Sequence, residues 1–227
     1  MKTLCLLADA RSPHLQKWVA GCRSLAARIV VISHHPAEVS GAEVIRQNLS
    51  LTAFWASGLK VRRTIRELQP AVVHAHQFGA HALYAWFSGC RPLIITAWGS
   101  DVLARPRQSL LLKWLLGFLA RRADLITTDS GVVTRELECH GARPERILTF
   151  PFGIPQAVYD RLGQVAKEET RFVFCSPRLH EPLYNIDLIL AAFKAINREF
   201  PQTELWLLGD GSQTENLKAF VKERQLA

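Results

Sequence analysis

Four groups of residues in this 227-residue chain have the types and spacing to do chemistry. His74 and His76 stand two apart in the apolar run Val72-Val73-His74-Ala75-His76. An extended backbone turns both rings to one face, which is half of a metal site if His81 or Asp101 supplied a third ligand. The plainer reading is favoured, and no metal is expected. His76, at the end of the run, hydrogen-bonds a substrate hydroxyl, and His74 is a satisfied core histidine. Trp98-Gly99-Ser100-Asp101 puts an aromatic face, a flexible residue and a carboxylate together, a common way to hold a sugar ring; the same four residues also read as a helix start capped by Ser100 or Asp101. Arg178 follows Ser176-Pro177 at the end of another apolar run, where a guanidinium can take a phosphate bidentately or simply lie on the surface. Gly209-Asp210-Gly211 sits between an apolar run and a helical pattern, where backbone N–H groups and the helix dipole favour a diphosphate, or where a tight turn is needed.

The elements that must position these groups alternate regularly. Short apolar runs at Thr3–Leu7, Arg28–Ser33, Val72–His76, Leu93–Trp98, Leu125–Thr128 and Ile147–Phe150 read as buried strands. Amphipathic stretches from about His14 to Ala27, Thr52 to Leu68, Leu110 to Ala123 and Val132 to His140 read as helices, the first opened by Ser12 and Pro13. Continuously apolar strands alternating with helices predict a doubly wound α/β domain over 1–150, a parallel sheet covered on both faces with its ligands at the carboxyl ends of the strands. Pro151-Phe152-Gly153-Ile154-Pro155 opens a linker over 151–170, and a second Rossmann-like series starts at 171. It contains strands at Phe172–Ser176 and Glu204–Leu208, a helix capped by Asn185 and a helix from about Ser212. Two apolar parallel strands leave an open edge and little cover, so 171–227 reads as an incomplete domain.

Composition excludes much else. The chain is 48% hydrophobic and 21% charged, with mean hydropathy +0.05, close to the globular average. No G-x-G-x-x-G follows the first strand and no G-x-x-x-x-G-K-[ST] is present, which disfavours nicotinamide dehydrogenases and P-loop enzymes. The absence of D-x-D disfavours a metal-bridged diphosphate. Five scattered cysteines without C-x-x-C argue for reduced thiols. With no signal-peptide pattern, a cytoplasmic protein is expected. Residues 1–165 carry 20 Lys and Arg against 11 Asp and Glu, whereas 166–227 carry 8 against 9. The basic first part suits phosphorylated small molecules or an anionic membrane; no nucleic-acid partner is expected. Leu110–Arg122, leucine-rich with Lys113 and Trp114, reads either as a helix resting on the inner face of the membrane or as one buried in the α/β core.

In this order the segments resemble the family 4 glycosyltransferases, retaining enzymes of the two-domain GT-B fold. The matching stretches are Ser12–Trp18, Val72–His76, Thr96–Asp101, Ala123–Ser130, Pro151–Ile154, Ser176-Pro177-Arg178 with Asn185-Ile186-Asp187, and Leu207–Gly211. The resemblance implies transfer of a sugar from a nucleotide-diphosphate donor to a saccharide or lipid-linked acceptor, with retention and without an obligatory metal or other cofactor. It makes His76 and Asp101 the catalytic candidates and Ser12, His14, Trp98, Gly99 and Ser100 the acceptor side. Arg178, Asn185, Gly209, Asp210 and Gly211 fall on the donor phosphates. The chain departs from the family pattern in three places. Trp98-Gly99 replaces a usual His-Gly, Tyr184-Asn185 stands near the place of a phosphate-binding Lys-Gly, and the family's E-x7-E segment belongs later in the second domain than the 227 residues reach. The expectation is therefore a C-terminally truncated transferase with little activity alone. Two alternatives remain: a non-catalytic relative that binds phosphorylated sugars or a protein partner, and a GT-B-like nucleotide-sugar epimerase.

Overall fold

The computed structural model describes residues 2–154, 156–164 and 172–223. Two compact units result, Met1–Pro155 and Gln156–Ala227.

The first unit holds seven strands: β1 (Thr3–Leu7), β2 (Arg28–Ser33), β3 (Glu43–Arg46), β4 (Val72–His76), β5 (Leu93–Thr96), β6 (Leu125–Thr128) and β7 (Ile147–Thr149). They form one sheet in the order β3-β2-β1-β4-β5-β6-β7, every pairing parallel. Its helices are α1 (Pro13–Cys22), α2 (Phe54–Glu67), α3 (Ala80–Phe87), α4 (Ser100–Leu103), α5 (Leu110–Ala120) and α6 (Gly131–Cys139). Alternate strand residues feed two cores, as the two-residue side-chain period requires. Cys5, Leu7, Val73, Ala75, Leu93, Ile95 and Ile126 pack under α2, α3, α5 and α6. Leu6, Ile29 and Val31 pack under Leu15 and Val19 of α1. The doubly wound parallel sheet expected from the sequence is the fold observed.

Two elements had no clear signal. β3 is a half-exposed edge strand with only Val44 and Ile45 apolar, so it lacks the continuous run of its neighbours. The α3 segment is eight residues long and no side chain caps it. Ser12 does occupy the N-cap position of α1, with Pro13 behind it, but its side chain makes no capping bond.

The second unit contains α7 (Gln156–Tyr159), β8 (Phe172–Ser176), α8 (Ile186–Glu199), β9 (Thr203–Leu207) and α9 (Thr214–Glu223). β8 and β9 pair in parallel from Phe172↔Thr203 to Ser176↔Leu207. Ile186 and Leu190 of α8 and Leu217 of α9 make its small core with Leu205 and Leu207. The stretch read as a linker is partly structured. Phe152 packs within the first unit and 156–159 are helical, while 165–171 lie outside the described residues. Asn185 does not cap α8 with its side chain. It takes the left-handed conformation at φ 48°, ψ 47°, which asparagine tolerates better than most residues.

Candidate active site

The strand order reverses between β1 and β4, and outside the carboxyl ends of such a pair lies the crevice where doubly wound sheets bind ligands. An aromatic cluster lines it. His14 and Trp18, one turn apart on α1, face inward from one side. The His14 and Trp98 rings lie 4.5 Å apart between centroids, and the Trp18 ring meets His74 edge-on at 4.9 Å and His76 at 5.4 Å. Trp98 lies 5.9 Å from His76 and 4.8 Å from Phe152. Gly99 follows Trp98 at φ 96°, a turn that a side chain would strain.

The two histidines differ in what they touch. His74 Nε2 is 2.6 Å from Thr96 Oγ1, which is 2.7 Å from Thr127 Oγ1, so a buried polar row crosses β4, β5 and β6. His76 is buried and its Nε2 has no hydrogen-bond partner among the described residues. Its carbonyl accepts a 2.9 Å bond from His81 Nδ1–H. Burial drives the His74 pKa down to about 3. Burial also holds His76 well below the usual 6.5, with the nearby His74, His81 and His14 rings adding to the effect. Both are therefore neutral at pH 7, and a neutral imidazole offers one donor and one acceptor but no charge.

Asp101 is buried as well, and its carboxylate is already engaged. Oδ1 accepts the Trp98 N–H at 2.9 Å and Oδ2 accepts the Phe78 N–H at 2.8 Å. The carboxylate thus ties the loop after β5 to the loop after β4. Burial raises its pKa, against those N–H bonds and Arg105, which lower it. Ser100 is exposed at the start of the short α4, and Ser12 opens α1 two residues before His14. Of the first-unit candidates, His14, His76, Trp98 and Asp101 thus converge with Gly99 between them. Trp18 and Phe152 complete the wall and were missed. Trp18 could have been found four residues after His14 on one helical face, whereas nothing local marks Phe152. Among the described residues, no three His, Cys, Asp or Glu side chains are grouped to hold a metal ion.

The donor-side candidates all lie in the second unit. Arg178 is exposed, with Cζ 5.5 Å from the Tyr184 ring centroid. Asn185 lines a different groove, beside Glu181 and Gln213. The glycines are required by close approach. A Cβ on Gly209 would collide with the Arg178 carbonyl oxygen, and one on Gly211 would lie 2.6 Å from the His180 carbonyl oxygen. Three backbone donors at this turn are already paired. Gly211 N–H donates to Asp210 Oδ1 at 2.8 Å, Ser212 N–H to Glu181 Oε1 at 2.9 Å, and Gln213 N–H to the His180 carbonyl at 2.9 Å. Bonds from Thr214 and Gly211 lower the Asp210 pKa, and bonds from Ser212 lower that of Glu181. Two carboxylates therefore stand at this turn, and of the three residues expected to hold a diphosphate Gly211 has its N–H spent on Asp210 Oδ1. His180 was missed: it is buried and its Nε2 lacks a partner among the described residues. Its place two residues after Arg178 was the available signal.

Comparison with known proteins agrees with this fold. At the level of sequence, no curated protein matches the chain. Among solved structures, HepE from Anabaena in complex with UDP-glucose aligns with a TM-score of 0.74 at 17% identity, covering 100% of this chain and 67% of that one. Sucrose-phosphate synthase from Thermosynechococcus elongatus aligns at 0.71 and 12% identity, covering 100% and 69%. UDP-N-acetylglucosamine 2-epimerase from Rickettsia bellii aligns at 0.57 and 13%, covering 95% and 64%. The likeness is one of fold, the GT-B type. The model of the family described as glycosyl transferase 4-like matches residues 3–130, over half of the chain and every crevice element from β1 to the end of β6. The chain belongs to the glycosyl transferase 4-like family.

Proposed function

We propose that the protein serves sugar transfer from a UDP-linked donor, with retention, to an acceptor hydroxyl held in the crevice between β1 and β4. Family membership supports the reaction type. The UDP-glucose held by HepE and the UDP-sugar for which the epimerase is named favour UDP as the carrier. The observation that carries the reading is His76: a buried, neutral imidazole whose Nε2 is unpartnered, beneath the Trp98 and His14 rings. A buried polar atom left unpaired costs about 1–3 kcal/mol, and a sugar hydroxyl would satisfy it while its C–H face rests on the aromatic wall. In this reading His76 contacts the sugar, Asp101 acts as a positioning residue that fixes Trp98, and Arg178 stabilises charge developing on the departing diphosphate. No metal or organic cofactor is assigned.

Calorimetric titration of the full chain with UDP-glucose, GDP-mannose as control, tests the donor. UDP release with a panel of free monosaccharides, with and without EDTA, then tests transfer, and the anomeric proton coupling of the product reports stereochemistry. His76→Ala should lower UDP release at least tenfold, equivalent to about 1.4 kcal/mol, with circular dichroism and melting temperature measured alongside to separate lost sugar contact from lost ring packing. UDP-glucose binding with no acceptor-dependent release would favour the non-catalytic relative. Sugar isomerisation without UDP release would favour an epimerase.

A further inference from the structure

The helices covering one face of the sheet present an apolar and cationic surface that the catalytic reading does not use. On α2, Trp55, Leu59, Arg62 and Arg66 recur at i, i+4, i+7 and i+11, a single stripe; Trp55 is 91% and Leu59 72% exposed. On α5 and the turn that follows it, Leu111, Trp114, Phe118 and Arg122 form a second stripe, with Leu110 beside it. Leu110 is 86%, Leu111 70% and Trp114 58% exposed. Both stripes run along α3. Arg62 Cζ lies 5.3 Å from the Phe87 ring centroid and Arg66 Nε donates to the Ser88 carbonyl at 3.0 Å. From the other side, Phe118 packs edge-on to Trp86 at 4.8 Å, and Arg122 Cζ sits 3.7 Å over Phe118. Each stripe is thus apolar at its N-terminal end and closes in an arginine seated against α3. Because α2, α3 and α5 each return the chain from the carboxyl edge of the sheet, the apolar ends gather at the edge that carries the crevice.

Charge identifies what this surface fits. Residues 47–123 hold ten Lys and Arg against two Asp and Glu, and one of those two, Asp101, is buried on backbone donors. Lys60, Arg105, Arg107 and Lys113 neighbour the exposed Trp and Leu residues in sequence. A second copy of the same face would meet it with like charge and be repelled. Tryptophan and leucine projecting among cations match the boundary of an anionic bilayer, where the indole sits at headgroup depth and the cations meet lipid phosphates. No helix among the described residues is long and apolar enough to cross a membrane. We propose that the α2–α3–α5 face seats the protein on an anionic lipid surface, with Trp55, Leu110, Leu111 and Trp114 as the inserted residues. This stands independently of the transfer chemistry and places the crevice edge toward the membrane.

Co-sedimentation of the full chain with vesicles of phosphatidylcholine alone, or mixed with phosphatidylglycerol, tests it. Binding is expected only to the mixed vesicles, weakening as salt screens the cations. A blue-shifted tryptophan emission, quenched by lipids brominated on the acyl chains, should accompany it. The triple variant Leu110→Ser, Leu111→Ser, Trp114→Ala alters exposed positions only; it should keep the wild-type circular dichroism and UDP-glucose affinity and lose vesicle binding at least tenfold. Arg105→Gln with Arg107→Gln and Lys113→Gln should weaken binding and flatten its salt dependence. Absence of binding to the mixed vesicles, or equal binding by a folded triple variant, overturns the proposal. So does concentration-dependent dimerisation abolished by the triple variant, which would give the face to a second copy. Loss of UDP-glucose binding in the wild type would count against the transfer reading and leave this one standing.

Discussion

β1 and β8 are both five-residue strands of similar character, Thr3-Leu4-Cys5-Leu6-Leu7 and Phe172-Val173-Phe174-Cys175-Ser176, yet they live in different environments. β1 pairs on both sides, has helices over both faces, and buries its last three residues completely. β8 pairs with β9 alone among the described residues, and Phe172 and Cys175 are exposed. The Cys5 thiol, sealed in the larger core, is pushed up to about 12 by burial, with Cys90 adding to it. An apolar run therefore specifies a strand, whereas the strand's place in the sheet decides how much burial it gains. The two sets of site loops follow the same division. In the first unit a buried carboxylate and aromatic packing hold the loops in a dry setting that keeps His74 and His76 neutral. In the second, glycine close approach and exposed hydrogen bonds accepted by Asp210 and Glu181 hold them.

Equivalent truncations should expose this contrast most strongly. Leu7→Ala in β1 removes a fully buried side chain and should cost about 2–5 kcal/mol, whereas Leu205→Ala in β9, only partly buried, should cost about 1–2 kcal/mol by lost apolar area. Hydrogen exchange resolved by unit would separate the two, and equal losses would break the comparison. The loop devices come next. Asp101→Asn sets an amide N–H against one of two backbone donors and should cost about 1–3 kcal/mol, raise the acceptor KM and leave the shape of the pH–rate profile intact. A lost limb of that profile would make Asp101 an acid or base instead. Gly211→Ala, crowding the His180 carbonyl, should cost about 1–3 kcal/mol and loosen only the second unit, seen as proteolysis there with the first unit protected.

The last contrast, small when read over a single pH unit, is in pH dependence. His74 has a folded pKa of about 3 against an ordinary 6.5, so protonation favours the unfolded chain. Stability of the first unit is complete above pH 6.5 and falls as pH drops from there toward 3, by about 1.4 kcal/mol per pH unit for each such histidine. His76 acts in the same direction. His74→Gln should make the melting temperature of the first unit less steep across that window, and an unchanged slope would mean that the imidazole is not held neutral.

Much of the frame was legible because its signals are local. The runs at Thr3–Leu7, Arg28–Ser33, Val72–His76 and Leu125–Thr128 coincide with β1, β2, β4 and β6 as read. β3 escaped because an exposed edge strand needs few apolar residues, and α3 because its ends are closed by backbone rather than by capping side chains. The site was legible as a set of residues at strand ends, but not as a set of roles. Asp101 reads equally as a sugar ligand or a helix cap, and its partner Phe78 stands 23 residues away. Gly209-Asp210-Gly211 reads as an anion cradle from its glycines alone, whereas the carboxylate of Glu181, 31 residues from the adjoining Ser212 whose N–H it accepts, is brought there only by the fold.

The alternation of apolar runs with amphipathic stretches was enough to specify a doubly wound parallel sheet and to put His76, Trp98 and Arg178 at the carboxyl ends of strands, because periodicity and strand polarity are properties of neighbouring residues. Which of those groups are free, which are spent on the backbone and which are held neutral was decided only by the tertiary structure. Hydrogen-bond partners and desolvation depend on segments that strand order and register bring together across the chain.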